Sequence, residues 1–429
     1  MKFLSPGQFA LFRIIFGAYL LQHFLWLLPV GAELFGAQGV LADPKLNATH
    51  GILPNPLATP WGGSPAFVTA FLVTLSLLSA AFMIGLWRRA AAVLLWFGWA
   101  CLFNRNNLIS NPSLPYVGLL LLFCALVPAG EPCSVTGAKG RRPGDWFFPA
   151  AVFWGAWFLM AIGYTFSGVV KLASPSWLDG TAFRHLLENP LARPGFFRDA
   201  FLALPEWGIA ALTWITLMAE ITFLPLALFA RGRLIAWIGM LAMHLGIVLM
   251  VDFADLSFGM VMLHLFTFDP EWLPARRDAR RPVLLFDGEC GLCNAVVRFL
   301  IREDAAERLH FAPLQSAKAQ AYLRAQGLPT EDFDSIVFVP DWDRPAKGAY
   351  RLRTDGVFAA LDEVGGVWRV ASWARAIPAP LRDPGYKLVA RTRYALFGAY
   401  RPQPLPDSAW AKRFLALPEG ALAETQSSV

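Results

Sequence analysis

The sequence predicts a polytopic α-helical membrane domain of about eight spans fused to a soluble α/β domain. Three observations carry that expectation. The 429 residues are 56% hydrophobic and only 16% charged, with 17 Trp and 35 Phe, which is outside the range of a soluble domain. The bias is uneven. Residues 1–270 hold long apolar runs with little charge inside them, whereas 280–429 read as an ordinary soluble composition, and the break falls at PEWLPARRDARRP, 270–282. The soluble part then opens on an apolar run that ends in two cysteines with motif spacing.

Taking about 20 apolar residues per crossing, the expected spans are 9–30, 66–86, 90–107, 114–129, 147–170, 205–230, 232–250 and 256–269. The first run is too long and too aromatic for a cleaved signal peptide and reads as a retained span. Basic clusters follow every even-numbered span: Arg88 and Arg89; Lys139, Arg141 and Arg142; Arg231 and Arg233; Arg276, Arg277, Arg280 and Arg281. Eight crossings with both termini cytoplasmic satisfy the positive-inside pattern. The expectation is a multi-pass protein of the bacterial inner membrane, partnered by the lipid bilayer, with its C-terminal domain in the cytoplasm. The same clusters explain the net charge of +6, so no nucleic-acid partner is expected. Segments 31–65 and 171–204 are left outside the spans, each long enough to be functional.

Ionisable groups at membrane depth are costly unless paired or hydrated, and are functional candidates for that reason. Arg13, His23, Lys171, Glu220, His244, Asp252, Asp255 and His264 lie in or at the ends of spans. Arg13 can snorkel to the inner surface, Asp252 and Asp255 suit an outer turn, and His23 suits a satisfied interior position. Lys171 ends the aromatic run YTFSGVVK. It reads either as an interfacial anchor or, if desolvated, as a base.

The segments YTFSGVVKLASPSWLDG, 164–180, and AMHLGIVLMVDFADLSFGMVMLHLFTFDPEWLP, 242–274, resemble the HTTM and vitamin K-dependent gamma-glutamyl carboxylase membrane domain over roughly residues 1–275. The resemblance implies that fold, places Lys171 at the family's active-site lysine, and matches His244 to a histidine on a later span. In NRNNLIS, 104–110, Leu108 stands where the carboxylase has a histidine, and the carboxylase's large lumenal region has no counterpart. Protein carboxylation is therefore not carried over.

In the soluble part, RPVLLFDG (281–288), LHFAPLQ (309–315), SIVFVP (335–340) and AYRLRTDG (349–356) read as strands. NAVVRFLIRED, 294–304, places Val296, Val297, Leu300 and Ile301 at helical spacing. The order strand, CxxC, helix, strand, helix, strand, strand suggests a thioredoxin-like domain. Cys290 then falls at the start of a helix, where N–H groups and the dipole stabilise a thiolate. Cys293 falls one turn on, placed to resolve a mixed disulfide. Asp287 ends the strand beside the pair, either capping the turn or handling a proton. There is no second CxxC and a single soluble-part histidine, His310, so the pair lacks the four ligands of structural zinc and no metal is expected. Cys101 and Cys124 read as small buried hydrophobes and Cys133 as a loop residue.

FDGECGLCNAVVRFLIRED, 286–304, and the tail DGVFAALDEVGGVWRVASWARAIPAPLRDPGYKLVARTRYALFG, 355–398, resemble the DCC family of thiol-disulfide oxidoreductases over about 281–401. Asp287, Cys290 and Cys293 match that family's signature. The resemblance implies a redox domain acting on a protein or small-molecule disulfide or thiol substrate. The exchange itself requires no cofactor. The two resemblances together suggest a quinone or other lipid-soluble carrier as a coupled electron carrier. Two alternatives stand beside this: a carboxylase-like membrane enzyme acting on a lipid or peptide with Lys171 as base, and a non-enzymatic membrane scaffold. Residues 402–429 are expected as a C-terminal tail.

Overall fold

A computed structural model describes residues 4–136, 146–252, 255–274, 278–400 and 408–416. The chain divides into two compact units, one of Gln8–Arg141 and Trp146–Phe268, the other of Met1–Gly7, Arg142–Asp145 and Asp269–Val429.

The first unit is helical. Its principal helices are α1 (Pro6–Leu27), α2 (Pro65–Met83), α3 (Arg88–Arg105), α4 (Leu114–Leu126), α5 (Ala150–Lys171), α6 (Glu206–Ile221), α7 (Ala230–Met250) and α8 (Asp255–Thr267). Among the described residues only α1, α2, α5 and α7 are long and apolar enough to cross a membrane. A fifth span results if α6 and the short helix Phe196–Leu202, bent by 109°, count as one. The expected eight spans are thus corrected to four or five. The reasons are local. Val127, extended before Pro128, closes α4 after 13 residues, and Asp269, extended before Pro270, follows α8 after 13 residues; thirteen residues rise about 20 Å, short of the roughly 30 Å core. The 205–230 run breaks because Pro225 has no N–H for the carbonyl of Ile221, where α6 ends. α3 carries Arg88, Arg89 and Arg105. The parity argument for a cytoplasmic C-terminal domain falls with the count. Of the basic clusters, Lys139, Arg141, Arg142, Arg276 and Arg277 lie outside the described residues.

The arginines are structural rather than snorkelling. Arg13 is fully buried. It donates to the carbonyls of Phe82 (3.1 Å), Met83 (2.8 Å) and Cys133 (2.6 Å) and lies 3.5 Å from Glu131. Arg88 meets the same carboxylate at 2.8 Å. Arg105 donates to the carbonyls of Leu41 (2.6 Å) and Gly36 (2.7 Å), and Asn106 to that of Leu34 (2.7 Å). These bonds hold the 31–65 segment by its backbone, which satisfies groups that would otherwise be buried unpaired.

The second unit is α/β. It comprises β1 (Val283–Phe286), α9 (Gly291–Glu303), β2 (His310–Pro313), α10 (Ala317–Gln326), β3 (Val337–Val339), β4 (Arg351–Leu352), α11 (Arg353–Val364), α12 (Gly366–Ser372) and α13 (Ala379–Phe397). The sheet order is β2-β1-β3-β4, with β1 parallel to β2 and antiparallel to β3, and β3 antiparallel to β4. β1 is central and buried on both faces. Leu284 and Phe286 pack with Val297, Leu300 and Ile301 of α9, while Val283 and Leu285 pack with Ala319, Tyr322 and Leu323 of α10. That is the alternation a two-residue period dictates. Val296 lies on the outer side of α9, 37% exposed. Residues 408–416, expected within the tail, add an edge to β2. Phe311 N–H donates to the Arg413 carbonyl (2.8 Å), Leu415 N–H to the Phe311 carbonyl (2.9 Å), and Arg413 pairs with buried Asp304.

Candidate active site

The carboxyl end of β1 delivers Asp287 into a turn that opens α9. Cys290 is the N-cap, with extended backbone, and its Sγ accepts the backbone N–H of Cys293 at 3.4 Å. A sulfur at this position faces the unpaired N–H groups of the first turn. Asn294 fixes the loop from within α9, its Nδ2 donating to the carbonyls of Gly288 (2.8 Å) and Cys290 (3.0 Å). Both cysteines are free thiols; Cys290 has no accessible surface and Cys293 is half-buried. The Cys293 thiol is pushed up to about 12, first by burial, then by its hydrogen bond to Cys290 and that sulfur's charge, with Arg393 acting in the opposite direction.

Asp287 is nearly buried and fully engaged. Oδ1 accepts from Glu289 N–H (3.1 Å) and Gln315 Nε2 (2.8 Å); Oδ2 accepts from Arg393 Nη2 (2.8 Å) and the Tyr394 hydroxyl (2.5 Å). Arg393 also donates to the Phe333 carbonyl (2.7 Å). Tyr394 is raised above its ordinary range by burial and by the carboxylate it donates to, so it stays protonated. Arg393 and Tyr394, both on α13, were not singled out from sequence. Their signal was the charged-aromatic string RTRY inside the family-like tail, but nothing local tied it to a strand end 106 residues earlier.

Lys171 belongs to the other unit and to a different arrangement. Its Nζ sits 2.5 Å from each oxygen of Glu220, 3.2 Å from Ser167 Oγ and 4.6 Å from the centre of the Trp177 ring. A Cβ at Gly168 would meet Ile221 N at 2.8 Å and Glu220 Cβ at 2.9 Å, so glycine there lets α6 approach α5 closely enough to form the pair. His244, matched by resemblance, bonds Ser257 Oγ through Nδ1 at 3.1 Å. Its ring lies 5.8 Å from Tyr164 and 6.0 Å from His264 between centroids. Asp252 pairs with Arg193 at 2.9 Å near the surface, as a turn residue would.

The HTTM domain model matches residues 4–272, more than half of the chain, and the DCC1-like thiol-disulfide oxidoreductase model matches 284–399. An uncharacterized protein of Bacillus subtilis (strain 168), YuxK, is 38% identical over 133 residues, which is 31% of this chain and 93% of the relative. A chloroplastic DCC family protein of Arabidopsis thaliana is 32% identical over 120 residues, 28% of this chain and 66% of the relative. No solved structure matches the chain.

Proposed function

From a multi-pass membrane chain that belongs to the HTTM-domain family and ends in a DCC1-like thiol-disulfide oxidoreductase domain, we propose a membrane-anchored thiol-disulfide oxidoreductase with Cys290 as the attacking sulfur and Cys293 as the resolving one. The observation that carries the proposal is the Cys290 sulfur at the N-cap of α9, accepting the Cys293 N–H. The Cys290 thiolate attacks a disulfide R–S–S–R′, forming Cys290–S–S–R and releasing R′–S⁻. Cys293 passes its proton to that leaving thiolate and attacks the Cys290 sulfur, releasing R–S⁻, which takes a proton from water. The net change is oxidation of the pair to one intramolecular disulfide and reduction of one substrate disulfide to two thiols. Read backwards, the same steps oxidise a dithiol. Asp287 is a positioning residue in this reading: its four donors fix the turn that presents Cys290. To test it, the full-length reduced protein in lipid nanodiscs is mixed with glutathione disulfide and mapped by mass spectrometry. The expected result is a 290–293 disulfide with two glutathione thiols released per chain. Release of thiol with Cys290 and Cys293 still reduced overturns the assignment.

A second reading rests on the Lys171–Glu220 pair. The HTTM unit would carry chemistry of its own on a lipid or peptide, with Lys171 handing its proton to Glu220 before acting as base. Unchanged lipid and membrane-peptide profiles in a K171A strain, at matched expression, count against it.

A further inference from the structure

Cys290 is the attacking sulfur in the reading above, yet it has no accessible surface. The segment lying against it is Gly398–Tyr400, which follows α13. Gly291 N–H donates to the Gly398 carbonyl at 3.1 Å, and Tyr400 N–H donates to the Glu289 carbonyl at 2.7 Å. Between these bonds Cys290 and Ala399 form an antiparallel bridge. Arg298 holds the far end through the Tyr400 hydroxyl at 3.1 Å. Two glycines make the approach feasible. Gly398 has φ +69 with nothing near an added Cβ, so it serves the backbone turn out of α13. A Cβ on Gly291 would meet the carbonyl oxygens of Phe397 and Gly398 at 2.7 and 3.1 Å, so the residue that follows Cys290 is small where the strap crosses it.

The two hydrogen bonds flank the bridged pair rather than join it, so Cys290 and Ala399 are a non-hydrogen-bonded antiparallel pair. Such pairs have Cα atoms about 4.5 Å apart and side chains on one face of the ladder, a spacing that lies within the roughly 4.4–6.8 Å a disulfide spans. The strap therefore places a methyl group where a partner's half-cystine would sit to exchange with Cys290. We propose that Gly398–Tyr400 is an internal occupant of a polypeptide-binding site. The substrate class is then an extended peptide segment carrying a cysteine in a disulfide. It displaces the strap, pairs through the Glu289 carbonyl and Gly291 N–H, and sets its own sulfur in the Ala399 position. This deepens the exchange reading by naming its substrate and rests on it for the chemistry, though the strap geometry stands apart from any exchange activity.

The experiment uses the full chain in nanodiscs. First, Ala399→Cys is oxidised with glutathione disulfide: its thiol takes up one glutathione, Cys290 displaces glutathione from it, and a Cys290 cross-link to position 399 results. That cross-link should dominate over 290–293. An introduced thiol that stays free or glutathionylated overturns the strap register. Second, Gly291→Ala and Tyr400→Pro each loosen the strap, one by a Cβ and one by removing a donor. Each should raise iodoacetamide labelling of Cys290 by about tenfold or more, with Cys293 labelling altered less than twofold. Unchanged Cys290 labelling in both overturns the strap as cover, and agreement of the two variants excludes misfolding of either. Third, a ten-residue peptide with a central cysteine, linked by a disulfide to thionitrobenzoate, is compared with the same peptide N-methylated on the residues flanking that cysteine. The plain peptide should release the chromophore at least about tenfold faster. Equal rates overturn the peptide class while leaving exchange intact. No release from either peptide, with Cys290 still open to iodoacetamide in the loosened variants, overturns the exchange reading and the substrate class together.

Discussion

Asp287 and Glu220 are both buried carboxylates paired with a cation beside a candidate reactive residue, and the two units use them differently. Asp287 accepts four hydrogen bonds, from a backbone N–H, Gln315, Arg393 and Tyr394, and the candidate reactive sulfur is its neighbour in the turn. Glu220 binds the candidate reactive atom itself, with both oxygens 2.5 Å from Lys171 Nζ. The first carboxylate is saturated and acts as an anchor. The second is committed to one partner, whose proton it takes in the second reading proposed above. Charge and burial are alike; the number and kind of donors separate a positioning group from a proton partner.

The largest effect expected is at the sulfur. C290S should remove glutathione-disulfide reduction by the full chain to background, measured as thiol release. C293S should retain one release per chain and stop at the mixed disulfide. Next comes the anchor. D287A leaves the buried Arg393 without its carboxylate, with the Phe333 carbonyl left to accept from it, and takes the acceptor from the more exposed Tyr394 hydroxyl; removing one partner of a buried pair costs about 3–5 kcal/mol. It should show as a lower denaturation midpoint of the C-terminal unit, followed by proteolysis of the full chain. E220Q should cost less, about 1.5–3 kcal/mol for a hydrogen bond to a charged group, before discounting for Lys171 being 24% exposed. Unlike D287A it should also increase Lys171 labelling by amine reagents. If E220Q leaves Lys171 labelling unchanged, the contrast between anchor and proton partner fails on the membrane side. The smallest effect is at the surface. Asp278, held at about 2 by hydrogen bonds from Arg280 and Arg308, has a folded value below its ordinary one. Its contribution is full above pH 4 and is lost as pH falls toward 2. The side chain is 40% exposed, so D278N should shift the acid-unfolding midpoint only slightly upward in pH, and should do nothing at pH 7 beyond a few tenths of a kcal/mol.

The α/β unit was legible because its signals are local. Val283–Phe286 is an apolar run that can bury both faces, Val297, Leu300 and Ile301 repeat at helical spacing, and the cysteine spacing marks the helix start between them. The donors that hold Asp287 were not legible, because Arg393 and Tyr394 come from a helix whose docking is a tertiary fact. The span count failed for a different reason. Hydropathy counts apolar residues and does not register where a helix stops. Pro128 and Pro225 each fall inside an expected span and end a run that composition alone continues, and the run before Pro270 gives a helix of only 13 residues. The basic residues misled in the same way: Arg88 reads as a marker of membrane sidedness and Arg13 as a snorkelling group, whereas each is buried, donates to backbone carbonyls and pairs with Glu131. Glu131, which joins Arg13 to Arg88, gave no sign in the loop sequence GEPCS.

Trapping in cells is the most direct test of the central claim, that Cys290 attacks and Cys293 resolves. With C293S the mixed disulfide cannot be resolved, so Cys290 should hold a partner that runs as a reducible higher-mass band; with C290S no such band should form. Bands of equal intensity from both variants, or a band from C290S alone, contradict the assignment.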